Sequence, residues 1–211
     1  MSPLQRVERY GSLIKLRPGF EERYIILHKH TFPGVLKRIR DSNIQNYSIF
    51  LREGMLFSYY EYTGQNHDED MRRIGEDTVT QEWWKLTDPM QEPLSLRKEG
   101  EWWVSMDEVF YFLKSDIPAS NSRRLATVAE AESVREPRIK IPESVLTASA
   151  VQKLAVFHKY GHLYLYGEYT ETSGSSDVDQ SEGGIGTFLS KISLEKQFYR
   201  WKGMREVFHT D

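Results

Sequence analysis

The chain repeats itself. Residues 44–62, IQNYSIFLREGMLFSYYEY, lie over residues 151–169, VQKLAVFHKYGHLYLYGEY, without a gap, sharing Gln45/Gln152, Phe50/Phe157, Gly54/Gly161, Leu56/Leu163, Tyr59/Tyr166, Glu61/Glu168 and Tyr62/Tyr169. A second echo follows each copy: MDEVFYF from Met106 and MREVFHT from Met204. An internal repeat constrains the architecture before any local assignment does, because each copy is one supersecondary unit with an apolar face it cannot bury alone.

Each copy reads as strand, helix, strand, turn, strand, helix, strand. In the first, residues 10–16 form a strand, Pro18-Gly19 a turn and 20–40 a helix. Strands 44–51 and 56–62 make a hairpin over Glu53-Gly54, a second helix covers 68–86, and 104–113 closes the sheet. The second copy offers a strand at 125–131, a short helix at 143–148, the hairpin 151–169, a helix at 186–193 and a strand at 206–209. Residues 115–122 read as linker. The stretch 170–184, TETSGSSDVDQSEGG, is rich in Ser, Gly and Asp and is expected to be mobile. Helices cover one face of a βαββαβ sheet and leave the other apolar, so two copies in one chain supply each other's cover. The expected fold is α+β: two ferredoxin-like units packed sheet to sheet as an intrachain dimeric α/β barrel. Residues 1–114 form the unit carrying the site, and residues 123–211 form a degenerate second unit.

Composition narrows the function. With 28 Lys plus Arg against 31 Asp plus Glu, the net charge is −3, so no broad basic field is available for nucleic acid phosphates or an anionic membrane. No apolar run approaches the roughly 20 residues of a bilayer span, and Met1 to Tyr10 has no apolar core of a secretory signal. The absence of cysteine removes disulfides, thiolate metal sites and cysteine nucleophiles, and fits a cytoplasmic location. Twelve Tyr, 10 Phe and 5 Trp suit both half-buried strands and sugar-binding clefts.

The first helix carries an apolar stripe of Phe20, Tyr24, Leu27, Phe32, Val35, Leu36 and Ile39. Tyr24 and His28, four apart, stack on the edge of that stripe. A phenol beside an imidazole can serve acid–base chemistry; the competing reading is a buried histidine satisfied by a backbone carbonyl. His28 and His30 are badly spaced for a metal on a helix, and no carboxylate completes a zinc motif. Adjacent Trp83 and Trp84 project about 100° apart on a helix, so one can pack while the other lines a cavity and stacks on a sugar. Trp102-Trp103 reads as packing. On strand alternation Tyr47 shares a face with Ile49 and Leu51 and can face the same cavity as Tyr24. There is no GxGxxG, P-loop, GxSxG or HExxH, which leaves cofactor-free acid–base work or plain binding.

In order and with similar intervals, PGFEERYIILH followed by Phe32-Pro33, then QNYSIFL, QEWWKLTDPM and DEVFYF resemble the L-rhamnose mutarotase family over about residues 9–113. The resemblance implies a dimeric ferredoxin-like barrel that interconverts sugar anomers without a cofactor. His28 would be the proton donor, with Tyr24 as its catalytic partner or as a hydrogen-bond donor to the sugar, and Tyr24, Tyr47, Trp83 and Trp84 match the family's substrate-binding positions. The second copy lacks Tyr-x-x-x-His and has Phe198-Tyr199 in place of the tryptophan pair, so one site per chain is expected, with the second half an internal partner and further homodimerisation left open. The expected function is an aldose 1-epimerase of L-rhamnose or a related sugar. The alternatives are an isomerase, cyclase or lyase of an aromatic metabolite on the same scaffold, a non-catalytic binding protein and, last, a haem protein with His28 on the iron.

Overall fold

The computed structural model describes residues 6–114, 122–131, 139, 141–148, 151–170, 193–194, 197–198 and 200–211. Of the expected linker at 115–122, insertion at 170–184 and helix at 186–193, only Ser122, Thr170 and Ser193 are among them; Ser122 and Thr170 belong to strands. Ser193, the end of that expected helix, sits instead in a short strand.

In chain order the elements are β1 (Glu8–Leu16), α1 (Glu21–Lys29), α2 (Pro33–Asp41), β2 (Ile44–Arg52), β3 (Met55–Tyr62), α3 (His67–Glu76), α4 (Thr78–Thr87), β4 (Gln91–Glu92), β5 (Val104–Ser105) and β6 (Asp107–Leu113). There follow β7 (Ser122–Glu130), α5 (Glu143–Ala148), β8 (Val151–Lys159), β9 (His162–Thr170), β10 (Ser193–Leu194), β11 (Gln197–Phe198) and β12 (Lys202–Thr210). Both long helices expected in the first copy are broken in two. The apolar stripe runs on through Phe32, but Pro33 cannot continue a helix and is instead favoured at a first helical position, so α1 ends at Lys29 and α2 starts afresh. Asp77 divides the second: its carboxylate accepts a hydrogen bond from the Thr80 backbone N–H at 2.9 Å and caps α4. Gly34 lets α2 approach α4 closely, since a Cβ there would lie 2.8 Å from Val79.

The chain forms two compact units, Met1–Met106 with Arg205–Asp211, and Asp107–Met204. In the first, β1 pairs with β3 and β3 with β2, while the short β4 and β5 occupy the far side of β1. This is the strand order of a ferredoxin-like sheet. The second repeats it: β7 pairs with β9, β9 with β8, and Lys202–Met204 flank β7. The repeat is kept in fine detail. Both hairpins turn on two residues of positive φ, Glu53 (49°) and Gly54 (72°) in one and Tyr160 (48°) and Gly161 (72°) in the other, the geometry a two-residue turn between twisted strands requires. Tyr59 donates to Glu61 at 2.7 Å and Tyr166 to Glu168 at 2.9 Å, both buried.

The closing strands depart from the expected pattern. Segment 104–113 was expected to complete its own sheet, yet only Val104–Ser105 pair with β1, and β6 continues onto β8 of the second unit. Likewise β12 flanks β7 with its first residues and carries Arg205–Thr210 onto β2 of the first unit. The registers correspond: Glu206 faces Phe50 and Phe208 faces Ile49, as Glu108 faces Phe157 and Phe110 faces Val156, with an irregularity at the valine of each Glu-Val-Phe. Each sheet is therefore finished by the other copy's strand.

The core of the first unit lies between its helices and one sheet face. It gathers Ile14, Leu16, Tyr24, Ile25, Val35, Ile39, Ile49, Leu51, Leu56, Trp83 and Phe208. In the second unit Leu154, Val156, Leu163 and Leu165 form the corresponding cluster with Ile139, Ile141 and Leu146.

Candidate active site

Tyr24 and His28 stand one turn apart on α1, both buried, with ring centroids 4.1 Å apart. The His28 ring meets the edge of Trp83 from α4 at 5.2 Å and that of Phe208 from β12 at 5.7 Å. Phe208 in turn touches Tyr47 of β2 at 5.5 Å, and Tyr47 touches Tyr60 of β3 at 5.7 Å. Tyr47 packs on the same core cluster as Ile49 and Leu51, because side chains two apart on a strand share a face. Four of the five residues singled out in the sequence are thus brought together. Trp84 is not: it turns outward, 38% exposed, and with Gln81, Lys85, Asp88, Pro89 and Trp102 lines an outer groove of about 610 Å³.

The hydrogen bonds fix protonation states. His28 Nδ1 lies 2.9 Å from the Tyr24 carbonyl oxygen. A carbonyl only accepts, so Nδ1 carries the proton and the neutral ring presents a bare Nε2 lone pair. Burial disfavours the imidazolium and pushes the pKa down to about 4, the Tyr24 carbonyl opposing this only in part. Burial also raises the phenols: Tyr47 to about 12, and Tyr24 upward with help from Tyr47 and against the Gln91 hydrogen bond.

His28 Nε2, the Tyr47 hydroxyl and the Trp83 indole N–H have no hydrogen-bond partner among the described residues. Unsatisfied polar atoms on the wall of an apolar cluster are what a ligand site leaves for its ligand. Among the described residues no group of three or more His, Asp or Glu side chains could hold a metal ion.

Sequence reasoning missed three participants. Phe208 lies 180 positions from His28 in a strand expected to serve the other sheet. Gln91, 4% exposed, bonds to the Tyr24 hydroxyl and carried no motif. Trp102, expected to pack, is instead 43% exposed and bonds to Gln91, while Trp103 does pack on the core.

Comparison with known proteins gives the same direction. The model of the L-rhamnose mutarotase family matches residues 9–112. A protein from Listeria monocytogenes named L-rhamnose mutarotase is 32% identical over 107 residues, covering 50% of this chain and 98% of its own length. The chain belongs to the L-rhamnose mutarotase family. A second relative of that name, from Sinorhizobium fredii, is 32% identical over 97 residues, 45% of this chain and 88% of its own. Both matches to this mutarotase family thus take in nearly a whole relative and only about half of this chain. The full length has a counterpart in fold alone, the crystal structure of a putative monooxygenase from Lactobacillus acidophilus, at 8% identity and a TM-score of 0.50 over 96% of this chain and 95% of that one. No helix among the described residues is long and apolar enough to cross a membrane.

Proposed function

We propose that this chain is an aldose 1-epimerase that interconverts the anomers of L-rhamnose or a closely related sugar without a cofactor, at the Tyr24–His28 cluster. The observation that carries the reading is the set of polar groups on one aromatic wall that have no hydrogen-bond partner among the described residues: the bare His28 Nε2, the Tyr47 hydroxyl and the Trp83 indole N–H. An apolar wall with a few aimed polar groups suits a sugar, whose C–H faces stack on rings while its hydroxyls take the hydrogen bonds.

The chemistry needs one base and one acid. With Nδ1 held by the carbonyl, His28 Nε2 takes the proton of the anomeric hydroxyl. The C1–O5 bond breaks to give the aldehyde, and the Tyr24 hydroxyl gives its proton to the departing ring oxygen. Rotation about C1–C2 presents the other carbonyl face; O5 attacks, its proton returns to Tyr24, and the His28 imidazolium returns its own to the new anomeric oxygen. His28 is thus base first and proton donor second. Tyr47 and Trp83 hold the hydroxyls. With this reading go a cytoplasmic location, matching a chain without cysteine, and a free monosaccharide as partner.

Saturation-transfer NMR on the α and β anomers of L-rhamnose tests it. The wild type should accelerate their exchange, and His28→Ala should lower the rate by roughly 10² to 10⁴, the usual worth of a positioned proton transfer. Uncatalysed exchange rates with folded wild type would refute the proposal.

A further inference from the structure

The Tyr24 hydroxyl has one hydrogen bond among the described residues, from the Gln91 side-chain nitrogen at 3.1 Å. The other end of that amide, Oε1, accepts from the Trp102 indole nitrogen at 2.8 Å. An indole N–H can only donate, so the amide has one permitted orientation: oxygen toward Trp102, NH₂ toward Tyr24. The amide N–H then occupies a lone pair of the phenol oxygen, and the phenol's own proton must point elsewhere. Gln91 begins β4 beside β1, and Arg17, just past the end of β1, fixes the local backbone by donating to the Gln91 carbonyl at 3.0 Å. Gln91 is 4% exposed and Tyr24 1% exposed, whereas Trp102 sits at the rim of the groove.

We infer that Gln91 is a positioning residue: clamped by Trp102, it holds the Tyr24 hydroxyl as a hydrogen-bond donor aimed at the substrate. The inference rests on the assignment of Tyr24 as proton donor to the ring oxygen. Gln91 itself touches no reacting atom. Its role is directional, and it is lost if the amide is replaced by a group that cannot donate, even one of the same shape. The chain Trp102–Gln91–Tyr24 also makes the groove wall part of the site's alignment, so a change at the indole reaches the phenol through a single amide.

Three variants test this on the full chain. Gln91→Met keeps the volume and removes the amide. Gln91→Glu keeps the shape and the Trp102 bond but places an acceptor opposite the phenol, which then turns its proton away from the substrate. Trp102→Phe keeps the wall and removes only the clamp. In anomer-exchange assays over a range of rhamnose concentrations, Gln91→Met should lower kcat by about tenfold with KM within about twofold, and Gln91→Glu should lower it at least as far. Trp102→Phe should have a smaller effect that vanishes in the Gln91→Met background, since the two act through one contact. Independently of substrate, the ¹³Cζ signal of labelled Tyr24, assigned by its loss in Tyr24→Phe, should move in Gln91→Met and less in Trp102→Phe. A wild-type kcat in folded Gln91→Met, a change confined to KM, or an unmoved Tyr24 signal would each overturn the inference. Failure of the wild type itself to speed exchange, with the signal moving as expected, would instead defeat the mutarotase reading on which it rests.

Discussion

A buried histidine bonded to a backbone carbonyl is often a purely structural feature, and at His28 both descriptions are true at once. The carbonyl fixes the tautomer, and the fixed tautomer leaves Nε2 as a base ready at neutral pH. Burial lowers the pKa from 6.5 to about 4, which has a thermodynamic consequence. Between these values the unfolded chain binds a proton that the folded chain does not, so stability rises with pH across that window: the full contribution is present above about 6.5 and is lost as pH falls toward 4. Between pH 7 and pH 4 the wild type should lose about 3 kcal/mol more than His28→Gln, measured by urea unfolding at each pH. The acid limb of kcat/KM should lie near pH 4 rather than near 6.5. Equal pH slopes for the two proteins would show that His28 ionises in the folded state much as it does in the unfolded chain.

At the scale of elements, the hairpins show how local chemistry sets geometry and where it is strained. Glu53 takes a positive φ of 49° ahead of Gly54, a conformation in which its Cβ is crowded and which Asn tolerates better. Its ion pair with Arg52 is largely exposed, at 72% on the Glu53 side, and is worth little. Glu53→Asn should therefore stabilise the protein by about 0.5 to 1 kcal/mol in thermal or urea unfolding. The hairpins were legible in the sequence because alternation and a turn glycine act within a few residues. The helix breaks at 30–32 and Asp77 were less so: hydrophobic period carries across a proline or a cap without recording that the axis has changed. Trp83 and Trp84 could be separated into one inward and one outward residue, since angular spacing says that they differ, but it does not say which is which. The amide of Gln91 left no trace, as a lone polar residue beside Met90 matches no periodicity and acts through a partner eleven positions on.

On the scale of the whole molecule, the repeat was readable and its wiring was not. Glu-Val-Phe occurs in both closing segments with the same register, so nothing in either segment tells which hairpin it will join. Phe208 reaches His28 only because β12 leaves β7 after three residues and runs on along β2. A chain ending at Trp201 would lack that ring and would leave the β2 edge unpaired, an invitation to association. It should show no accelerated anomer exchange and should elute as larger species in size-exclusion chromatography. An active monomer would mean that β12 is dispensable. The timing of synthesis follows from the same wiring. The sheet on which α1 and His28 pack has all but one of its strands once Ser105 is made, yet it waits on residues 205–210, about 100 positions later. At translation rates of about 5 to 20 residues per second, that is roughly 5 to 20 s during which the nascent polypeptide carries an unfinished edge. The N-terminal half cannot mature on the ribosome ahead of the rest, and a chaperone would find its natural client in that interval.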